Sequence, residues 1–306
     1  MNTANEIYRA RIDKVIDYIT NHLHLPVSLE ELASVAHFSP FHFHRIFVAV
    51  TGETVHQFTS RLRNEKAARL LRFSQEPVDS IAVACGFSSG ATLSRVFKQY
   101  FGVAPAAYRK GVAIQNSKIC KELLPVTPYH CEMTAAELQE RFPVTLQQLP
   151  ERRIAYIRVT DAYREGVVLE AFQRLVEWSK QVDLFSTATF FGMSLDDPAV
   201  TPKEKYRYEA CITVPATFAG EATAGIAFNV LPAGRYAGTI ATGDLAWVAA
   251  GINYLFDHWL INSVYECVAA PGLEIFLDRE QVCNWSHFNL ALLVPVRPMQ
   301  LRKKDN

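Results

Sequence analysis

The feature that most constrains this chain is a pattern that occurs twice within its first 110 residues. The segment HFSPFHFHRIFVAVTG (37–52) is matched by GFSSGATLSRVFKQYFG (86–102), with one residue inserted in the second copy. Both copies contain Phe-Ser near the start, an arginine midway and a closing glycine. Their apolar residues recur at the i, i+3, i+4 spacing of a buried helix face, and an amphipathic segment precedes each. The pattern predicts a duplicated helix-turn-helix.

The segment between the two copies predicts one long helix, from Thr54 to Leu71, because it contains neither Gly nor Pro. Its 18 residues would span about 27 Å. A helix of that length can hold two recognition helices roughly one duplex turn, about 34 Å, apart on one face of DNA. Its basic residues either contact phosphate or form a solvated face. They are Arg61, Arg63, Lys66, Arg69 and Arg72.

The net charge of zero conceals two halves of opposite sign. Residues 1–118 carry 14 Lys and Arg against 9 Asp and Glu, whereas residues 119–306 carry 17 against 22. A basic first half predicts an anionic partner for it. The six cysteines form no C-x-x-C pair, which argues against a zinc or disulfide scaffold and favours a reducing, cytoplasmic location. No stretch approaches the roughly 18 apolar residues of a membrane span, so we predict no membrane partner.

Residues 10–110 resemble the AraC/XylS-type DNA-binding domain. The resemblance rests on LEELASVAHFSPFHFHRIFVAVTG and DSIAVACGFSSGATLSRVFKQYFGVAPAAYRK. It implies a sequence-specific transcription regulator that binds double-stranded DNA through adjacent major grooves and contacts RNA polymerase. By position, it implies six base-facing residues: Phe41, His44, Arg45, Gly90, Ala91 and Arg95.

The second of these units departs from the family pattern, which places long polar side chains at positions 90 and 91. Gly90 and Ala91 cannot hydrogen-bond a base edge. We therefore expect most sequence discrimination from the first unit, with Arg95 anchoring the second. His42 and His44 do not suggest a metal site, because their i, i+2 spacing points them to different helix faces and no cysteine or carboxylate joins them. We predict neither a metal nor a cofactor.

The second half of the chain also contains a duplication. LPERRIAYIRVT (149–160) is matched by LPAGRYAGTIAT (231–242), and each is followed by a helix that ends in tryptophan and then by two strands. The last strands are YRYEACITVP (206–215) and FNLALLVP (288–295). The fold class predicted for the chain is an all-α double helix-turn-helix followed by duplicated strand-helix-strand-strand units that share one α+β sheet.

The predicted organisation has four parts. Residues 1–112 form the DNA-binding domain, residues 113–142 a linker, residues 143–298 the second domain and residues 299–306 a polar tail. Residues 143–298 resemble the GyrI-like, or SbmC-type, effector-binding domain. The resemblance rests on the duplication together with YRYEACITVP, GRYA (234–237), Trp259 and PGLEIF (271–276).

This second resemblance implies a ligand-facing glutamate at Glu274. A carboxylate in an aromatic pocket is costly unless a cation pairs with it, which predicts a small, lipophilic or cationic effector. The alternative is an outward-facing strand carboxylate in ordinary alternation. Glu209 is a second, less favoured carboxylate. The predicted pocket walls are Trp259, Tyr156 and Phe276, with Phe191, Trp247, Tyr254 and Trp285 as further candidates.

Core packing explains each of these aromatic residues equally well. Two alternatives for the second domain stay open, a protein-docking module and a hydrolase that uses Glu274 with Tyr156 or Tyr254. The sequence contains no nucleophile elbow and no Ser-His-Asp set, so we predict a protein that is not an enzyme.

Overall fold

The computed structural model describes residues 3–114, 133–219, 225–268 and 270–299. The chain forms two compact units. The first is helical, and the second is an antiparallel sheet with helices. The predicted fold class, a double helix-turn-helix followed by a duplicated α+β sheet, is confirmed.

Seven helices build the described part of the first unit. They are α1 (Thr3–Asn21), α2 (Leu29–Val35), α3 (Pro40–Thr51), α4 (Val55–Phe73), α5 (Val78–Ala84), α6 (Gly90–Phe101) and α7 (Pro105–Arg109). The two helix-turn-helix motifs are α2–α3 and α5–α6. The Ser89 side chain accepts a hydrogen bond from the Thr92 backbone N–H and caps α6. Both recognition helices end at a glycine with left-handed backbone, Gly52 and Gly102.

Aromatic residues at helical spacing form the core of each motif. Phe43 and Phe47 of α3 are fully buried, and the Phe47 ring packs edge-on against Phe58 of α4 at a centroid distance of 5.4 Å. In α6, Phe97 and Phe101 occupy the corresponding inward face. The apolar spacing in the sequence therefore identifies the buried side of both recognition helices.

The basic residues of α4 bind other parts of the first unit. Arg61 lies between Glu53 and Glu65 and is 4% exposed. Arg63 donates to the backbone oxygens of residues 23 and 25, each at 2.9 Å, and Lys66 donates to that of residue 84 at 2.8 Å. For the buried Arg61, the prediction of a phosphate contact or a solvated face is wrong. Arg63 and Lys66 are half-buried, and they hold α4 to the segment before α2 and to the end of α5.

The turn at Gly86 depends on one of these contacts. Gly86 has a φ of +79°, and a Cβ there would overlap the Leu23 carbonyl oxygen and lie 2.9 Å from the Arg63 guanidinium carbon. We expect Gly86→Ala to lower the free energy of unfolding by about 1–3 kcal/mol, from left-handed strain and loss of the Arg63 contact. Urea unfolding of the full chain measures this. Alanine at Gly111, which has a positive φ but open space around it, is the control for strain alone.

The second unit contains three α-helices and nine strands in its described residues. The helices are α8 (Ala135–Arg141), α9 (Val167–Gln181) and α10 (Leu245–Asn253), the last continued by a π-helical turn to Trp259. The strands are β1 (Thr145–Leu149), β2 (Arg152–Thr160), β3 (Phe190–Ser194), β4 (Arg207–Thr213), β5 (Ala227–Leu231), β6 (Gly234–Gly243), β7 (Tyr265–Cys267), β8 (Gly272–Phe276) and β9 (Phe288–Pro298).

The strand order reflects the duplication. It runs β1-β6-β9-β8-β3-β4-β2-β5, with β7 paired to β9. The two halves meet where β3 pairs with β8. The strand that leads each half pairs with the other half, since β1 pairs with β6 and β5 lies beside β2. These two exchanged edge strands, which sequence reasoning missed, tie the halves into one sheet.

Both long helices of the second unit cover the same face of the sheet. Phe172 of α9 contacts Tyr208 of β4 and Phe276 of β8. On α10, Gly251 lies against Leu292 of β9. We call this side the helix face. Side chains on a strand alternate between faces, so the strand register assigns each residue to the helix face or to the opposite face.

The segment predicted as linker contains structure in its described part. Helix α8 begins at a capping box formed by Thr134 and Glu137. Phe142, which follows it, is 1% exposed and packs against Trp247 and Tyr254. Residues 115–132 and 300–306, which include most of the predicted linker and tail, lie outside the described residues.

Candidate functional sites

The first candidate site is the exposed face of α3. Phe41 is 68% exposed, although it is a large apolar residue, and His44 and Arg45 are exposed beside it. The Arg45 guanidinium lies 5.8 Å from the centre of the Phe41 ring. All three predicted residues of this helix are therefore accessible, on the side away from the buried Phe43.

The second recognition helix presents a smaller surface. Ala91 and Arg95 are exposed, but Gly90 is buried. The Gly90 backbone N–H donates to the Asp79 side chain at 3.0 Å, and a Cβ at Gly90 would lie 3.0 Å from the Asp79 carboxyl carbon and overlap its oxygen. The prediction that Gly90 faces a base is therefore wrong, because Gly90 packs α6 against Asp79 of α5.

Arg95 stands beside a groove of about 580 Å³ between α4 and α6. The residues that line this groove are mostly polar or basic. They are His56, Thr59, Ser60, Arg63, Phe87, Arg95, Val96, Gln99 and Tyr100. Arg95 is thus exposed on α6 and lines a groove that extends to α4.

The second candidate site surrounds Glu274 on the helix face of the sheet. The Tyr208 hydroxyl donates to Glu274 Oε2 at 2.8 Å, and the Ser194 hydroxyl donates to Oε1 at 3.2 Å. Within the described residues, no Lys or Arg forms an ion pair with Glu274. Burial raises the pKa of Glu274, and the two hydrogen bonds oppose this by favouring the ionised form.

Tyrosine rings extend this site. Ser194 and the charge of Glu274 both influence the pKa of Tyr206, and the Tyr163 ring packs edge-on against Tyr206 with ring centroids 4.9 Å apart. Tyr163 is 39% exposed. Partial burial, with smaller contributions from the charges of Glu274 and Asp197, raises its pKa to about 12. Burial also raises the pKa of Tyr206. The site is therefore one carboxylate among protonated phenols, and we call this group the Glu274 cluster: Tyr163, Ser194, Tyr206, Tyr208 and Glu274.

Of the predicted walls, Phe276 shares the helix face with Glu274 and Tyr156 does not. Phe276 lies two residues after Glu274 on β8, and its ring packs against Phe172 of α9 at 5.1 Å. Tyr156 pairs with Cys211, three residues from Tyr208 along β4, so it lies on the opposite face. The prediction that Tyr156 forms a wall of the Glu274 pocket is therefore wrong.

Two other candidates share that opposite face. Phe191 precedes Gly192, the cross-strand partner of Glu274, and so points away from the cluster. Glu209 accepts a hydrogen bond from Arg158 Nε at 2.9 Å, and this buried ion pair neutralises its charge. Glu209 is therefore not a second carboxylate of the Glu274 cluster.

Trp259 also lies away from the cluster. Its ring stacks on Tyr265, which pairs with Pro298 at the far end of β9. Glu274 pairs with Leu292, six residues earlier on that strand and therefore about 20 Å away. The remaining candidates have other contacts: Trp247 with Phe142 and Arg141, Tyr254 with Phe142 and His258, and Trp285 with Phe288.

Sequence reasoning missed Tyr208 and Ser194, which contact the glutamate directly. Tyr208 lies within YRYEACITVP, a segment read only as a strand and a family signature. Its role depends on β4 lying two strands from β8, with β3 between them. The duplication placed β3 and β8 in corresponding positions, but it did not reveal that they are neighbours.

The sequence patterns of two known families match the chain. The family described as helix-turn-helix domain matches residues 32–111, and the family described as GyrI-like small molecule binding domain matches residues 142–297, about half of the chain. None of the helices in the described residues has the length and hydropathy needed to cross a membrane.

Known proteins resemble the first unit. The multiple antibiotic resistance protein MarA of Escherichia coli is 36% identical over 98 residues, 32% of this chain and 77% of MarA. The probable transcriptional regulator LumQ of Photobacterium leiognathi is 33% identical over 104 residues, 34% of this chain and 42% of LumQ. The chain thus spans less than half of LumQ.

One solved structure of a DNA-binding domain is also similar in sequence. It is the DNA-binding domain of AdpA in complex with a target DNA, which is 36% identical, with a TM-score of 0.32, over 33% of this chain and 90% of that one. The two family matches, and the coverage of MarA, agree with the two units seen in the structure. The chain belongs to the family of proteins that join an AraC-type helix-turn-helix domain to a GyrI-like small-molecule-binding domain.

Proposed function

We propose that this protein is a DNA-binding transcription regulator whose second domain senses a lipophilic, singly charged cation at Glu274. The observation that carries the proposal is the Glu274 cluster, in which a carboxylate lies among phenol rings on the helix-covered face of the sheet. Family membership supports the DNA-binding part. Contact with RNA polymerase is proposed from the resemblance alone.

The charge balance of the cluster supports a cationic ligand. Burial of Glu274 favours the neutral acid. A cation placed beside Glu274 would stabilise the ionised form, and the faces of Tyr163 and Tyr206 would add cation–π attraction. One carboxylate balances one positive charge. A ligand with a delocalised charge is preferred, because it loses less hydration on entering an aromatic site.

The hydrolase alternative has less support. Of its two proposed tyrosines, Tyr156 lies on the opposite face of the sheet and Tyr254 packs against Phe142. Tyr208 does contact Glu274, but burial and the Glu274 charge raise its pKa. Its phenol is therefore held protonated and acts as a hydrogen-bond donor to the carboxylate. We infer that the site binds its ligand without transforming it.

Dye binding to the full chain tests the effector part of this proposal. Crystal violet carries one delocalised positive charge, and its leuco form at pH 8 has a similar shape without that charge. We expect isothermal titration to give at least about tenfold tighter binding for the cation. A sensor requires that effector binding and DNA binding be coupled. Saturating dye should therefore also change the affinity of the full chain for a selected DNA site. Equal binding of both forms would contradict a cation sensor.

Arg45 tests the DNA-reading part. We expect Arg45→Ala to relax selection at one base position and to cost about 1–3 kcal/mol on the preferred site, as a bidentate arginine–guanine contact would. The structure supports this because Arg45 is exposed on α3, beside the exposed ring of Phe41. Site selection with the full chain, followed by gel-shift titration, measures both effects. A uniform loss across all sequences would identify Arg45 as a phosphate contact instead.

A further inference from the structure

Gly192 occupies the position in the first half that corresponds to Glu274 in the second. Leu195-Asp196 and Leu277-Asp278 follow the corresponding strands β3 and β8, and Gly192 and Glu274 each lie three residues before the leucine. The same two residues are direct cross-strand partners where the halves meet. One of the two equivalent positions therefore carries a carboxylate, and the other carries no side chain.

The Tyr208 phenol fills the space above Gly192. Tyr208 pairs with Ser194 of β3, and its ring lies over that strand toward β8. A Cβ on Gly192 would overlap the Tyr208 hydroxyl oxygen and Cζ and would lie 3.0 Å from Cε1. Across this bare strand position, the hydroxyl reaches Glu274 Oε2 at 2.8 Å.

The phenol is also held from above. Phe172 of α9, which is 1% exposed, packs edge-on against Tyr208 with ring centroids 6.4 Å apart. Its ring also packs against Phe276 at 5.1 Å, which keeps it in place. A methyl group at position 192 could be accommodated only by moving the end of the phenol, and that end carries the hydroxyl bonded to Glu274.

We propose that Gly192 is a positioning residue of the effector site, because its lack of a side chain lets Tyr208 donate to Glu274 and orient the carboxylate toward a cation. This inference rests on the proposed function. A hydrogen bond to a carboxylate favours its ionised form. When the bond is lost, the carboxyl stays neutral to higher pH and binds a cation less tightly at intermediate pH.

The pH profile of crystal violet binding to the full chain tests this. In the wild type, affinity should rise as Glu274 ionises and then level off. We expect Gly192→Ala and Tyr208→Phe to shift the midpoint of this rise upward by similar amounts, with roughly tenfold weaker binding between the two midpoints. Loss of general structural integrity would lower affinity at every pH without moving the midpoint. A profile unchanged from wild type in either variant would overturn the proposal.

A second measurement needs no ligand, so it separates this inference from the proposed function. If Gly192 only makes room for the phenol, Gly192→Ala should destabilise the wild type but have little effect in a Tyr208→Leu background. A double-mutant cycle of urea unfolding measures this coupling. Equal destabilisation in both backgrounds would overturn the inference about Gly192. Strong coupling without any dye binding would support the positioning of Tyr208 and refute the cation sensor.

Discussion

Glu274→Gln should weaken crystal violet binding by about 30-fold or more while leaving DNA affinity in the absence of dye unchanged. The substitution keeps the shape of the side chain and removes the only charge of the Glu274 cluster, and the loss of a closely paired charge is worth at least about 2 kcal/mol. Glu274 lies on β8 in the second unit, whereas the exposed α3 surface belongs to the first. Titration of dye and gel-shift of DNA measure the two effects.

The pH dependence of binding gives the same prediction a second readout. Burial raises the pKa of Glu274, so the carboxyl is neutral below that pKa and cannot pair with a cation. Cation affinity should therefore increase as the pH rises through this raised pKa and level off above it. The Gln variant should show no such rise.

Glu170→Gln is the matched control, because Glu170 is an exposed glutamate of α9 in the same domain. It should bind the dye with wild-type affinity. If Glu274→Gln retains both the affinity and the pH profile of the wild type, Glu274 does not contact the cation, and its hydrogen bonds with Tyr208 and Ser194 have a structural role only.

The sequence predicted helices and strands well where repetition supplied a second copy for comparison. The two motifs around α3 and α6 follow from matched apolar spacing, which reports burial directly. The same holds for the three strands and the helix of each sheet half that the duplication outlined. Strands β1 and β5 were missed. Each belongs to one half in sequence but pairs with a strand of the other half.

The sites were less predictable, because they depend on which strands are neighbours. Glu274 was identified through a family resemblance, but its partner Tyr208 is 66 residues away in sequence. Conversely, Tyr156 was predicted as a pocket wall because it is aromatic. Its pairing with Cys211 places it on the opposite face of the sheet, and a shift of one residue in strand register would have reversed this. The burial of α4 likewise could not be read from its composition, since arginines that bind carbonyls inside a domain look the same in sequence as arginines on a solvated face.

Arg61→Met should produce the largest loss of stability, about 3–5 kcal/mol. The Arg61 guanidinium lies 2.9 Å from Glu53 and 3.3 Å from Glu65, and its side chain is 5% exposed. Methionine keeps an apolar side chain of similar length, but it removes the guanidinium, which lies 5.0 Å from the centre of the Phe58 ring, and takes a positive charge away from two largely buried carboxylates. Breaking a buried ion pair from one side costs this much because the remaining charge stays in a poorly solvated place. Urea unfolding of the full chain, with hydrogen exchange of α4 peptides, measures and locates the loss.

Arg95→Ala provides the matched comparison, because it removes an exposed arginine from the same unit. We expect its unfolding free energy to stay within about 0.5 kcal/mol of wild type, since surface substitutions rarely change it further. Its DNA binding should nevertheless weaken, and the dependence of affinity on salt should become shallower if Arg95 neutralises a phosphate.

One outcome would contradict the internal role assigned to Arg61. If Arg61→Met leaves stability unchanged and instead weakens DNA binding as Arg95→Ala does, Arg61 faces the DNA duplex. Recovery of stability in Arg61→Met/Glu65→Gln would place the cost in the buried charge of Glu65, because that variant removes it.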